Sequence, residues 1–352
     1  MREFLINSND AGQRLDKFVL KTVRGIPVSL VYKSIRIKKI KVNRKRATEK
    51  QILLQGDLVQ MFLAEDLFSD RIEKSELLSV KPNLCIAYED ENLIICDKPV
   101  GVLVHSGDGD GKTSGDGSAG DRNTLIYHIQ AYLAQKGEYN PSEENSFAPS
   151  LCNRIDRNTG GLVIAAKNAS ALRDINARIR NGGVGKIYIC AVCGKTPEKS
   201  DTLKGFLQKD AKNNKVKVTL KKEPGAKEIA TSYSLIDYNA EKDISLVLVR
   251  LHTGRTHQIR AHMASIGCPL LGDGKYADVS KNENYGYTHQ ALYAVAVLFY
   301  AVDDSVSYLN GKAITADTSK IKFIKEFPKF SPEKARKILI KNVVAQNFEK
   351  KY

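Results

Sequence analysis

The chain has 352 residues, 42% of them hydrophobic, and 55 Lys and Arg against 40 Asp and Glu give a formal charge of +15 and a pI near 9.4. That length suits two domains, each with a core of its own, and the charge points to a polyanion, either nucleic acid or an anionic surface. No apolar stretch reaches the length a bilayer needs, and the N-terminus "MREFLINSNDAGQ" lacks the apolar run of a secretory signal.

Residues 1–60 carry fourteen Lys and Arg against five Asp and Glu, which is +9 of the chain's +15. In "QRLDKFVLKTV", Leu15, Phe18 and Val19 fall at helical spacing, and Pro27-Val-Ser opens a second helix, "SLVYKSIRIKK". "IKVNRKRA" alternates into a hairpin around Asn43, and the Gly56-Asp57 turn leads into a further strand. We therefore expect a compact basic module at 1–62, with Arg36, Lys38, Lys39, Arg44 and Lys45 along its phosphate-facing side. Residues 63–81 are mixed in charge and aperiodic, as suits a linker.

A second domain is expected over 82–330. "LCIAYEDENLIICDKPVGVLVH" reads as strand, turn, strand and a Lys98-Pro99 break. The tract 106–121, "SGDGDGKTSGDGSAGD", has no core-forming residues and reads as a surface loop. It lacks the first Gly of a Walker loop, and Lys112 spoils a calcium loop. A helix capped by Asn123 or Thr124 follows, then the strand "LVIAA" and a helix ended by Gly182-Gly183. "GKIYICAVCG" and "ISLVLVRLHTG" are strands, and "RTHQIRAHMASIG" is a helix closed by Gly267. A last helix begins at Ser331 and extends through 331–352. Strands and helices are mixed without the alternation of a doubly wound sheet, so the expected class is α+β, with a mixed, mainly antiparallel sheet flanked by helices.

The six cysteines lie in apolar contexts, as in a reducing cytoplasm. Cys190-x-x-Cys193 has no second pair at zinc spacing, and His252, His257 and His262 recur every five residues, off any one helical face. No dinucleotide, Walker, zincin or nucleophile-elbow motif is present, so no cofactor and no metal are expected. What remains is chemistry by bare side chains. In "NRIDRNTGGLVIAAK", Asp156 stands between Arg154 and Arg157, just ahead of a Gly-Gly turn and a buried-looking strand. A carboxylate held at a strand edge among guanidinium groups suits a nucleophile or base, and equally a structural ion pair. Lys186 and Tyr188 share one face of a strand. The tyrosine could stack on a base or simply fill a core. Arg260 lies about a quarter turn from the Ile259, Met263, Ile266 stripe, where it could reach inward or stay on the surface.

Taken in order, these stretches resemble the RluA family of RNA pseudouridine synthases over roughly residues 11–300. "NRIDRNTGGL" is similar to the family signature H-R-L-D-R-D-T-S-G-L, which places Asp156 at the catalytic aspartate. "GKIYICAVCG" is similar to the strand of the active-site tyrosine, at Tyr188, and "TGRTHQIRAH" matches the motif whose last arginine falls on Arg260. The basic module resembles the RNA-binding domain named after ribosomal protein S-four. That domain order most resembles the RluC-type branch, which acts on large-subunit ribosomal RNA. The resemblance implies cofactor-free isomerisation of uridine to pseudouridine by a cytoplasmic RNA-binding protein involved in rRNA processing, with a monomer as the default. Asp156 would be nucleophile or base, Arg260 its partner, and Tyr188 would pack on the uracil. Arg154 would fill the space of the flipped uridine, and Arg157 and Lys186 would meet phosphate. Asn153, Asn158, Gly160 and Tyr293 depart from the family pattern, where His, Asp, Ser and often His stand. These departures leave open a transfer RNA substrate, or an assembly factor that binds RNA without catalysis.

Overall fold

A computed structural model describes residues 1–23, 25–68, 74–105, 123–210, 215–277, 285–328 and 330. The tract at 106–121 and the helix expected over 331–352 lie outside the described residues.

The basic module is built from β1 (Arg2–Leu5), α1 (Leu15–Thr22), α2 (Val28–Arg36), β2 (Ile40–Val42), β3 (Lys45–Arg46) and β4 (Leu58–Met61). Its strands form one small sheet in the order β1-β4-β2-β3, antiparallel throughout. The anticipated stripe of Leu15, Phe18 and Val19 packs there against Val31, Ile35, Val59 and Met61. With so many apolar groups turned inward, Arg36, Lys38, Lys39, Arg44 and Lys45 are left exposed. The β2–β3 turn has Asn43 at φ 51° and Arg44 at φ 64°, the backbone a two-residue hairpin needs.

The segment expected as a linker contains α3 (Lys74–Ser79), whose Leu77 is wholly buried against the helix at Leu125–Gln135. Single-residue burial of this kind is invisible to periodicity over so short a stretch. The body then continues through β5 (Ile86–Glu89), β6 (Leu93–Lys98), α4 (Leu125–Gln135), β7 (Ser150–Leu151), β8 (Gly160–Ala166), α5 (Ala169–Arg180) and β9 (Val184–Cys193). It is completed by β10 (Ser200–Asp210), β11 (Lys215–Thr219), β12 (Lys227–Asn239), β13 (Ile244–Leu251), α6 (Gln258–Ser265), β14 (Leu292–Phe299) and β15 (Ala313–Thr315).

Among the described residues these strands form one sheet of eleven, with the main path β11-β10-β12-β13-β9-β14-β8-β6-β5. Only β8 and β14 pair in parallel; every other neighbour is antiparallel. The fold is thus α+β, as expected. Alternate residues of the central strands serve two cores. Leu162, Ile164, Ile187 and Ile189 pack under α5 and the C-terminal Phe323 and Phe327. Val163, Ala165, Tyr188 and Cys190 pack under α4 and α6. That parity puts Tyr188, and Lys186 two residues before it, on the α6 side of the sheet. No described helix is long and apolar enough to cross a membrane.

The module is seated on the body by a polar ring. Asp10, with none of its surface exposed, accepts from Asn145 Nδ2 (2.7 Å), Ser146 N (3.1 Å) and Ser146 Oγ (2.6 Å). Asn9 donates to Glu144 (2.6 Å), and its side-chain oxygen accepts from Ala169 N (3.0 Å) at the start of α5. A buried carboxylate satisfied this fully fixes orientation more than it adds stability.

Candidate active site

Asp156 sits on the turn between β7 and β8, and that turn is clamped from both sides. On one side Asn153 Oδ1 accepts from Ile164 N (2.8 Å), while Cys152 N donates to the Ile164 carbonyl (2.8 Å). Asn153 therefore has a structural job that its amide oxygen performs well. On the other side the Lys98 ammonium, fully buried, donates to the carbonyls of Pro99, Val102 and Arg157, each at 2.9 Å. Those three acceptors match its three protons. Burial, partly offset by the Asp156 carboxylate, lowers Lys98 to about 7. Gly101 N donates to the Arg157 carbonyl and Arg157 Nε returns a bond to the Gly101 carbonyl, both 3.0 Å.

The departures at 160 and 293 are one feature. A Cβ on Gly160 would lie 2.5 Å from Tyr293 Cε2 and 2.8 Å from Cδ2, in the one place where β8 and β14 run parallel. The ring cannot move away cheaply, because Tyr293 is buried and its hydroxyl donates to Asp97 Oδ1 at 2.6 Å. The tyrosine thus requires the glycine. Gly160→Ser is expected to cost about 2 kcal/mol by overpacking, and distinctly less on a Tyr293→His background. Thermal unfolding of the two single variants and the double would give a coupling energy of about 1 kcal/mol or more.

Arg260 reaches the site from α6. This helix differs from the expected amphipathic one: every residue from Gln258 to Met263 is buried. The central strands of the sheet meet it through Ile259 and Met263, and β11 and β12 of the same sheet pack against it from another side, with Ala261 meeting Leu207, Val216 and Ile229. Arg260 accordingly points inward. It donates to Asp273 through Nε (2.6 Å) and Nη2 (2.8 Å), and through Nη1 to Asp156 Oδ2 (3.0 Å). Burial works against this charge, but the Asp273 and Asp156 carboxylates outweigh it and hold the guanidinium above its ordinary value. His257 Nε2 lies 3.8 Å from the same Asp156 oxygen.

Asp156, His257 and Arg260 line a cleft of about 1180 Å³ that also includes Arg154, Arg157, Lys186, Tyr188, Lys275 and His289. The structure therefore brings Asp156, Arg260, Tyr188, Lys186, Arg154 and Arg157 together. Tyr188 is buried, and its hydroxyl is pushed well up by that burial and by the Asp156 charge. Burial lowers Lys186 from its ordinary value. Arg154 and Arg157 are exposed on the rim. Arg36, Lys38, Lys39, Arg44 and Lys45 are not part of this cleft; they belong to the module.

Two groups of residues were not assigned to the site from the sequence, His257 being weighed there only as a metal ligand. His257, Asp273 and Tyr276 surround Arg260, and only the fold brings them there. A second group had a legible signal: residues 199–227 hold nine lysines (199, 204, 209, 212, 215, 217, 221, 222, 227) against three acids (201, 210, 223). Of these, Lys204, Lys209, Lys215, Lys217, Lys221 and Lys222 are exposed along β10, β11 and the turn that follows. Cys190 and Cys193, three apart on β9, fall on opposite faces of the strand, and no described group of three His, Cys, Asp or Glu could hold a metal ion.

Residues 92–265 match the family model described as RNA pseudouridylate synthase. The chain is 32% identical over 307 residues to an uncharacterized RNA pseudouridine synthase of Mycoplasma genitalium, covering 86% of this chain and 90% of that one. It is also 32% identical over 277 residues to ribosomal large subunit pseudouridine synthase C of Vibrio cholerae, covering 78% and 79% of the two. Among solved structures, human RNA pseudouridylate synthase domain containing 1 superposes with a TM-score of 0.50 at 19% identity, over 67% of this chain and 83% of that one.

Proposed function

Because the chain belongs to the RluA family of RNA pseudouridine synthases, and is thus an RNA-modifying isomerase, we propose that it modifies uridines of large-subunit ribosomal RNA with Asp156 as the reacting carboxylate. The observation that carries the site assignment is the grip on Asp156. Its carboxylate receives a buried guanidinium that is itself forked onto Asp273, inside a cleft rimmed by cations. Support for the ribosomal substrate comes from the relatives named as large-subunit synthases at about 30% identity.

In this reading the target uridine leaves its stack and enters the cleft, with Arg154 taking its place in the RNA. Asp156 acts as nucleophile or base while the bond from N1 to the ribose breaks. The uracil then turns against Tyr188 and rejoins the ribose through C5. Tyr188, near Asp156 and kept protonated by burial, packs on the ring, while the C5 proton is lost to solvent and N1 takes one up. Arg260 holds the carboxylate in place throughout. Arg157 and Lys186 add positive potential for phosphate. The basic module, of the S-four type and spanning 1–62, supplies affinity through phosphate contacts together with the lysines of β10 and β11.

Carbodiimide and primer-extension mapping in cells with and without the protein tests this. Sites should vanish from large-subunit ribosomal RNA in the deletion; loss confined to transfer RNA would overturn the substrate, and no loss anywhere would overturn the activity. For the module, the test is charge neutralisation, since deleting it would strip the partners from residues 144–146. Replacing Lys38, Lys39, Arg44 and Lys45 by glutamine is expected to weaken RNA binding and flatten log K against log salt by up to about 3.6, at about 0.9 for each phosphate no longer neutralised. An unchanged slope would make these residues a solvated face.

A further inference from the structure

We propose that His257 is a positioning residue for this reaction: its Nε2–H is a second donor to Asp156 Oδ2, in a tautomer that Tyr276 imposes, so that Oδ1 is the oxygen presented to uridine. This rests on the reading of Asp156 as the reacting carboxylate.

The backbone supplies the first observation. His257 immediately precedes α6 at φ 53°, a left-handed conformation that a non-glycine residue adopts at a cost. Such a conformation persists where the surroundings hold it, and the surroundings here are specific. Tyr276 Oη accepts the Val216 N–H of β11 at 2.9 Å and lies 3.1 Å from His257 Nδ1. The hydroxyl has one proton to give. With Val216 already donating to the oxygen, the arrangement that satisfies all three groups sends the phenol proton to Nδ1. A neutral imidazole that accepts at Nδ1 carries its hydrogen on Nε2.

Nε2 is the atom that faces Asp156 Oδ2, at 3.8 Å. The opposite tautomer would aim a lone pair at a carboxylate. Burial lowers His257 from its ordinary value, which favours the neutral ring; Arg260 and Lys275 act in the same direction, and Asp156 and Asp273 oppose them. At 3.8 Å the contact is longer than a hydrogen bond, as catalytic contacts often are before substrate closes on them. Arg260 Nη1 already holds Oδ2 at 3.0 Å. Two donors on one oxygen leave the other free to react.

Tyr276 braces both donors. Its ring meets the His257 ring edge-on, with centroids 5.7 Å apart at 85°, and lies 5.2 Å from the Arg260 guanidinium carbon. Its backbone N–H donates to Asp273 Oδ1 at 3.2 Å, beside the carboxylate that carries Arg260.

The test combines kinetics with a direct view of the ring. In protein labelled with ¹⁵N-histidine, long-range proton–nitrogen spectra should show His257, assigned by its disappearance in His257→Gln, as a neutral ring protonated at Nε2. Tyr276→Phe should release Nδ1 and shift its resonance. In single-turnover assays His257→Ala should slow pseudouridine formation roughly tenfold or more, with RNA affinity within about twofold of wild type. His257→Gln, whose amide can donate from near the Nε2 position, should recover most of the rate. A ring protonated at Nδ1, a doubly protonated ring, or a full rate in His257→Ala would overturn the proposal. The tautomer measurement does not depend on catalysis, so an active Asp156→Ala enzyme would refute the carboxylate's role without touching it. An inactive Asp156→Ala enzyme beside a fully active His257→Ala enzyme would refute this proposal alone.

Discussion

Asp156→Ala is expected to abolish pseudouridine formation, by about 10⁴-fold or more in single turnover, while the protein folds and binds RNA as before. The magnitude is that of deleting a reacting group outright. Folding should survive because the Asp156 side chain is partly exposed, at 27%, and because Arg260 keeps its two bonds to Asp273 when Asp156 is gone. Affinity should hold or rise slightly, since a negative charge is removed from a site that faces phosphates. Release of tritium from RNA labelled at uridine C5 would measure the rate, and filter binding the affinity. Sites restored in a deletion strain by this variant would show that Asp156 is a structural ion pair after all.

Asp273→Asn should be the most destabilising of these substitutions. Asp273 has no exposed surface and accepts both arms of the Arg260 fork. An amide in its place leaves a buried guanidinium without its main counter-charge, which costs about 3–5 kcal/mol. Activity should fall as well, by about 100-fold, because a slack Arg260 no longer fixes the Asp156 oxygen. Arg260→Lys should not rescue the geometry, since a single ammonium cannot serve Asp273 twice and Asp156 once. The pH dependence has a definite sign. Burial works against the Asp273 charge, but Arg260 more than offsets it and holds the carboxyl below its ordinary value of 3.8. Its stabilising contribution is therefore complete above that ordinary value and is lost as pH falls through the lower, folded one. Acid unfolding of the wild type should show this loss, and Asp273→Asn should lack it.

Much of the site was legible in the residues themselves. Arg154, Asp156 and Arg157 lie in one short motif, and a motif keeps its members together whatever the fold does. Lys186 and Tyr188 came with the period of a strand, which places both on one face. The position of Arg260 was left open between inward and outward, because a helical wheel assumes one buried stripe. Here β11 and β12, towards one edge of the sheet, pack against α6 as well as its central strands, and a helix covered from several sides has no stripe to read. Asn153 looked like a loss against the family pattern. Its side-chain oxygen instead serves the β8 backbone, a partner eleven residues away.

By itself the sequence determined the α+β class, the basic N-terminal module and the family, since each depends on local period, local charge or contiguous motifs, and through the family resemblance it singled out Asp156 as the candidate carboxylate. The tertiary structure alone decided what surrounds that carboxylate. Asp273 and Tyr276 lie more than a hundred residues from Asp156, Lys98 nearly sixty, and the Gly160–Tyr293 contact spans two strands that pair in parallel. Such contacts follow from chain crossings and sheet order, which no repeat or spacing along the sequence encodes. It is these contacts that turn an acid among arginines into a carboxylate held through Oδ2 by a buried guanidinium at the wall of a cleft.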